Sequence, residues 1–192
     1  MGKVLLCIDF INDIVAPDGK LSGKGYAEFC ERHRTLERVS AVQDRCRRAG
    51  IPVLHVRVGF SPTYVEQPKA SPLFGKADQF QALQLGQPGT EFHPRVAPLE
   101  NERVVTKHRV SVFFATELEL LLRALRADEL LIAGVATDLA VEAAARDAHD
   151  RDFSVTVLSD CCAAASDADH DKSLRTLAKI AQIALAEDLG LN

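Results

Sequence analysis

The chain has 192 residues, 47% apolar and 26% charged, with a formal net charge of −4. That length suits one domain, residues 1–192, with a sizeable core, and the mild acidity gives no basis for binding nucleic acid or an anionic membrane. No apolar run approaches the roughly 20 residues that cross a bilayer, and five cysteines without CxxC spacing argue against a disulfide framework and for a reducing, cytoplasmic setting.

The first apolar run, Val4-Leu5-Leu6-Cys7-Ile8, lacks a small-residue cleavage site and reads as a strand, not a signal peptide. Leu36, Val39, Val42, Cys46 and Ala49 recur every three or four residues, the spacing of a helix that Gly50-Ile51-Pro52 stops. Residues 52–58 form the second predicted strand. From 59 to 99 no period emerges, while six prolines and four glycines accumulate. A loop of that length inside a compact domain serves as a lid or an oligomer arm. A third strand covers 104–106. Leu118, Leu121, Leu122 and Leu125 then follow a helical template, with Thr116 and Glu119 spaced as a capping box. A fourth strand covers 130–134, and a helix covers about 137–150 with Thr137 as its expected N-cap. The fifth strand, 155–158, is followed by Cys161 and Cys162, read as packing residues, and the last helix spans about 169–186.

The predicted strands are continuous in apolar residues and do not alternate, which marks burial on both faces of a parallel sheet. Repetition of strand and helix makes a doubly wound, Rossmann-like α/β fold the natural architecture. Such sheets bind ligands beyond the carboxyl ends of their strands, and three ends carry polar groups. The first reads Asp9-Phe10-Ile11-Asn12-Asp13, the third Thr106-Lys107-His108-Arg109, and the fourth Gly134-Val135-Ala136-Thr137-Asp138.

Asp9 follows apolar residues, so desolvation would raise its pKa and a nearby Lys107 would lower it, tuning an acid or base. Spacing alone equally allows Asp9 to cap a turn and Lys107 to be a solvated charge; Asp13 reads as a turn or capping residue. A dinucleotide site would want G-x-G-x-x-G after the first strand, and neither it nor a P-loop is present. The fourth end opens a helix whose first amides have no intrahelical partner and can stabilise an oxyanion. A cysteine in that turn would make a good nucleophile. Position 140 is alanine.

Together these blocks resemble the isochorismatase-like (cysteine hydrolase) superfamily over nearly the whole chain. Asp9-Phe10-Ile11-Asn12-Asp13 is similar to its first-strand motif, with Ile11 where the family usually has Gln. Lys107-His108-Arg109-Val110-Ser111-Val112-Phe113-Phe114 is similar to the K-x-x-x-S-x-F block that supplies an active-site lysine. The stretch from Gly134 to Glu142 matches G-V-x-T-[DN]-x-C-V-E, except that Ala140 stands at the cysteine position. The resemblance implies a six-stranded parallel sheet with helices on both faces and a homodimer or homotetramer. It also implies a cis peptide, placed between Val135 and Ala136, that aims the amides of Ala136 and Ala140 as an oxyanion hole. The nicotinamidase branch adds an aspartate–histidine metal motif; His55-Val56-Arg57-Val58 lacks the second histidine and the aspartate, so no metal or other cofactor is expected.

In the amidase members the cysteine attacks a carbonyl carbon, the aspartate is the base and the lysine orients both; Ala140 closes that route. Three readings follow. The chain is a hydrolase without a covalent intermediate, Asp9 being the acid that protonates an enol ether and Lys107 the orienting group. Alternatively, it is a catalytically silent protein that binds a small molecule in the old pocket, or an amidase whose cysteine at 140 was replaced. Arg57, Tyr64, His108 and Phe113 are candidate substrate-binding residues around a small planar acid or amide, with Arg109 nearby. Ser111 is expected to hydrogen-bond locally. His33, His93, His149 and His170 show no ligand spacing.

Overall fold

The computed structural model describes residues 2–191. Its sheet comprises β1 (Gly2–Ile8), β2 (Val53–Val58), β3 (Arg103–Lys107), β4 (Ala127–Val135), β5 (Ser154–Ala163) and β6 (Gln182–Ala184). All pairings are parallel and the order is β3-β2-β1-β4-β5-β6. The order reverses between β1 and β4, so the crevice beyond their carboxyl ends is where this architecture receives ligands.

Both faces of the sheet are covered. Along β1, Leu5 and Cys7 enter one core, while Val4, Leu6 and Ile8 enter the other. The first core is closed by α1 (Asn12–Val15), α2 (Tyr26–Arg32) and α3 (Thr35–Arg48), and the second by α4 (Leu118–Ala124), α5 (Glu142–His149) and α6 (Asp167–Leu177). With an apolar layer on each side the central positions of the inner strands are buried on both faces, hence the continuous runs. Among the described residues no helix is long and apolar enough to cross a membrane.

Away from the strand ends that carry the candidate site, local expectations fail in three places. The helix expected over 169–186 ends at Leu177, and a turn closed by the Ala181 N–H on the Leu177 carbonyl (2.9 Å) sends the chain back as β6 beside β5. Ile180, Ile183 and Leu185 fit a helix or a short edge strand equally, so pattern could not separate them. Cys161 and Cys162 lie inside β5, not after it. The Thr116–Glu119 box does not close: Thr116 Oγ1 donates to the Val112 carbonyl (2.6 Å), and Glu119 pairs with Arg151 (3.1 Å).

Gly134 of β4 is in register with Ile8 of β1 and leaves no room for a side chain. A Cβ there would lie 2.8 Å from Ile8 Cβ and 3.1 Å from the Ile8 carbonyl oxygen. Gly134→Ala is expected to push the two strands apart beside Asp9 and destabilise the fold by about 1–3 kcal/mol. A lower midpoint in urea unfolding checks this, and an unchanged midpoint would show that the strands yield freely.

Candidate active site

Asp9 is the first residue past β1. Its φ of 60° is left-handed, a conformation that aspartate tolerates better than bulky residues do, and its N–H donates to the Val56 carbonyl at 2.8 Å. This bend turns the carboxylate across the end of the sheet. Oδ1 accepts the Val58 N–H at 2.7 Å, and Oδ2 lies 2.9 Å from Lys107 Nζ. Lys107 ends β3, where it is in register with Val58 of β2, so its stem crosses the end of β2 to reach Asp9. Nζ also donates to the carbonyls of Arg109 (3.1 Å) and Val110 (3.3 Å).

Asp9 is 3% exposed and Lys107 1%. That burial decides between the alternatives left open by spacing: Lys107 is not a solvated strand-end charge. Desolvation raises the Asp9 pKa, against the opposing pull of the Lys107 ammonium and the Val58 N–H. The result is a carboxyl group inclined to hold a proton beside a fixed cation.

The third wall comes from the end of β4. The Val135–Ala136 peptide is cis, and a wide turn, Thr137–Val141, follows, in which the Val141 N–H reaches back to the Ala136 carbonyl at 3.1 Å. Thr137 is not the N-cap. Ala136 holds that position, and the Thr137 hydroxyl pairs with His170 Nδ1 at 2.8 Å instead. Winding wider than an α-helix displaces the first-turn amides from the reach of a cap. Ser173 on α6 lies 3.1 Å from the Thr137 carbonyl and 2.8 Å from the Glu142 carboxylate, so α6 pins the turn from behind. Ala140 is buried.

Asp9, Lys107, Val135, Ala136 and Ala140 line one cavity of about 60 Å³, whose other walls are apolar apart from Tyr26. Only a small group can reach the ion pair, and the walls offer water few partners there.

Four expected substrate contacts do not line this cavity. Arg57 Nε donates to Thr106 Oγ1 (3.3 Å). The Tyr64 hydroxyl donates to the Ala82 carbonyl (2.9 Å), and His108 Nδ1 sits 2.6 Å from the Gly59 carbonyl oxygen with its ring stacked on Phe60. Phe113 packs in the second core under the Arg151 guanidinium, 4.7 Å from the ring centroid. These side chains hold the surrounding loops. Arg109 likewise donates to the Glu66 carbonyl (2.8 Å), and Ser111 Oγ accepts the Phe113 and Phe114 N–H groups (3.1 and 3.0 Å) while bonding Asp147. Sequence reasoning missed Tyr26 and Leu139, which do line the cavity, and His170. Leu139 stands next to Ala140 in the fourth-strand block, whereas nothing local in the sequence ties Tyr26 or His170 to the site.

Among the described residues no group of three or more His, Cys, Asp or Glu is placed to hold a metal ion, and His55 Nε2 faces Glu102 at 3.0 Å. All five cysteines are buried and free. Burial pushes the Cys7 and Cys162 thiols up to about 12, so neither is poised as a thiolate.

The family described as "Isochorismatase domain" matches residues 3–188. The chain is 29% identical to an isochorismatase family protein of Escherichia coli O157:H7, over 80% of each chain. It is also 29% identical to a maleamate amidohydrolase of Pseudomonas putida, over 82% of this chain and 70% of that protein. The solved nicotinamidase of Bacillus subtilis superposes with a TM-score of 0.79 at 26% identity, covering 96% of this chain and 100% of that one. An isochorismatase family protein of Desulfovibrio vulgaris shares the fold, with a TM-score of 0.84 at 24% identity over 97% of this chain and 95% of that one.

Proposed function

The chain belongs to the isochorismatase family, a family of hydrolases, and from that premise we propose that it cleaves a small polar metabolite through Asp9 and Lys107 without a covalent cysteine intermediate. One observation carries this reading. A carboxyl group whose pKa burial raises sits 2.9 Å from Lys107 Nζ, in a cavity where position 140 offers a methyl group and no thiol.

That arrangement suits an enol ether. Asp9 gives its proton to the terminal vinyl carbon, and the C=C electron pair forms the new C–H bond. The adjacent carbon becomes an oxocarbenium ion, water adds to it, and the proton that water loses returns to Asp9. The resulting hemiketal collapses to a ketone and an alcohol. Lys107 holds the Asp9 carboxyl in place and orients an anionic or carbonyl oxygen of the substrate. The apolar walls favour the protonated form of Asp9, against the pull of Lys107.

The amidohydrolase relatives support a second reading, in which Ala140 stands where a nucleophile once completed the site. The experiment that separates the two incubates the purified protein with isochorismate, maleamate and nicotinamide and follows products by mass spectrometry. The expected outcome is cleavage of the enol ether alone by the wild type, with amide hydrolysis appearing in Ala140→Cys. Amide hydrolysis by the wild type would overturn the proposal. Retention of a ligand with no turnover of any of the three would instead favour a silent binding protein.

A further inference from the structure

A second cavity, of about 170 Å³, adjoins the one at Asp9 and Lys107. Leu21, Tyr26, Leu73, Phe74 and Leu83 line both, so these side chains are a shared boundary. The outer part is bordered by Phe80, Lys24 and Lys76. Phe80 is 65% exposed and Leu73 43%. Leu73 and Phe80 stand together on the rim of one groove with polar neighbours, the arrangement of a ligand-binding groove and not of scattered single exposures.

The groove is built, not incidental. Gln81 and Leu83 have φ of 51° and 57°, left-handed values that cost a non-glycine residue free energy and persist only where the surroundings enforce them. The enforcing contacts are on the groove's two walls. Asp13, itself buried, accepts the Leu83 N–H on Oδ2 at 2.7 Å and the Leu21 N–H on its main-chain carbonyl at 2.8 Å. Lys20 Nζ donates to the Gln81 carbonyl at 2.5 Å, and the Tyr64 hydroxyl to the Ala82 carbonyl at 2.9 Å. One aspartate therefore fixes the spacing between Leu21 and Leu83, across which both cavities open.

We infer that the second cavity is a subsite for the apolar chain of a linear substrate. The scissile group of that substrate lies against Asp9 and Lys107, and its far end carries a carboxylate met by Lys24 and Lys76. The position of the scissile group rests on the hydrolase reading above; the chain subsite rests on the groove itself.

Calorimetry on the wild-type protein tests this with two probe series: butanamide, hexanamide and octanamide, and their carboxylate-ended counterparts succinamic, adipamic and suberamic acids. Affinity is expected to rise about three- to fourfold per methylene, the transfer of one CH₂ out of water. The longest carboxylate-ended probe, suberamic acid, should bind about two- to fivefold tighter at low salt than octanamide, whereas succinamic acid, too short to reach the lysines, should gain nothing over butanamide. The Lys24→Glu/Lys76→Glu protein should lose that advantage, and Phe80→Ser should flatten the dependence on chain length. Affinity independent of chain length, or a slope that Phe80→Ser leaves intact, would overturn the subsite. Turnover of a short enol ether is a separate readout. Chain-length dependence without turnover keeps the subsite and removes the hydrolase reading, whereas turnover without chain-length dependence removes the subsite alone.

Discussion

Asp9→Asn is expected to lower turnover by about 10²–10⁴-fold, the usual contribution of a positioned acid–base group. The substitution removes the proton together with the carboxylate oxygen that lies 2.9 Å from Lys107 Nζ, while the other contacts of both side chains remain. Asparagine keeps an oxygen to accept the Val58 N–H, now made at 2.7 Å by Asp9 Oδ1. Lys107 keeps the Arg109 and Val110 carbonyls, at 3.1 and 3.3 Å. The variant should therefore fold with a wild-type circular dichroism spectrum, and steady-state kinetics then report chemistry, not unfolding. A rate within a few-fold of wild type would remove Asp9 from the reaction.

The same carboxyl sets the sign of the pH dependence. Burial raises its pKa above the ordinary 3.8. A proton donor works only while it holds the proton, so kcat/KM should fall as pH rises through the folded-state value. A general base would give the mirror image, with activity rising through that range. Stability follows the same direction. Because the folded state binds this proton more tightly than the unfolded chain, the group's contribution is full below the unfolded value and is lost as pH rises through the raised folded value.

How much of this was legible in the sequence depended on whether the information was local. Residues 4–8 announce a doubly buried strand because Leu5 and Cys7 serve one core and Val4, Leu6 and Ile8 the other. Asp9 stands out as the first polar residue after them. Lys107 was legible by its place at a strand end and was paired with Asp9 as one of two alternatives, which spacing alone could not decide because the contact skips over β2. Adjacency to these residues misled. His108 neighbours Lys107, but consecutive side chains leaving a strand point apart, and its ring meets Phe60 and the Gly59 carbonyl.

The clamps that shape the site join residues far apart in the chain. Asp13 and Leu83 are 70 residues apart, and Thr137 and His170 are 33 apart. Hydrophobic periodicity carries no record of such pairings. The long loop shows why: without a period of its own, residues 59–99 take their course from single contacts to Asp13, Lys20 and Phe10. The sixth strand was hidden for another reason, its three residues being too few to display alternation.

Lys107→Met is expected to cut stability and activity together, and its pH dependence distinguishes the ion pair from simple packing. Methionine keeps much of the apolar stem but removes the ammonium, so the Asp9 carboxylate loses its cation and two carbonyls lose a donor. Breaking a buried pair from one side costs about 3–5 kcal/mol when the remaining charge stays ionised. Asp9 can escape that cost by taking up a proton. Lys107 acts on it twice, by charge and by hydrogen bond, and both effects lower its pKa. With them gone only the Val58 N–H opposes burial, so the carboxyl rises further. The variant is then expected to lie close to wild type in acid, where Asp9 is neutral, and to fall away as pH rises through the new, higher value. Urea midpoints measured across pH check this, and an equal loss at every pH would mean that Asp9 stays ionised without its partner. Turnover should drop about 10²–10³-fold, as for removal of one preorganised electrostatic group. The alkaline limb of kcat/KM should move to higher pH, because the proton that Asp9 donates is now held more tightly.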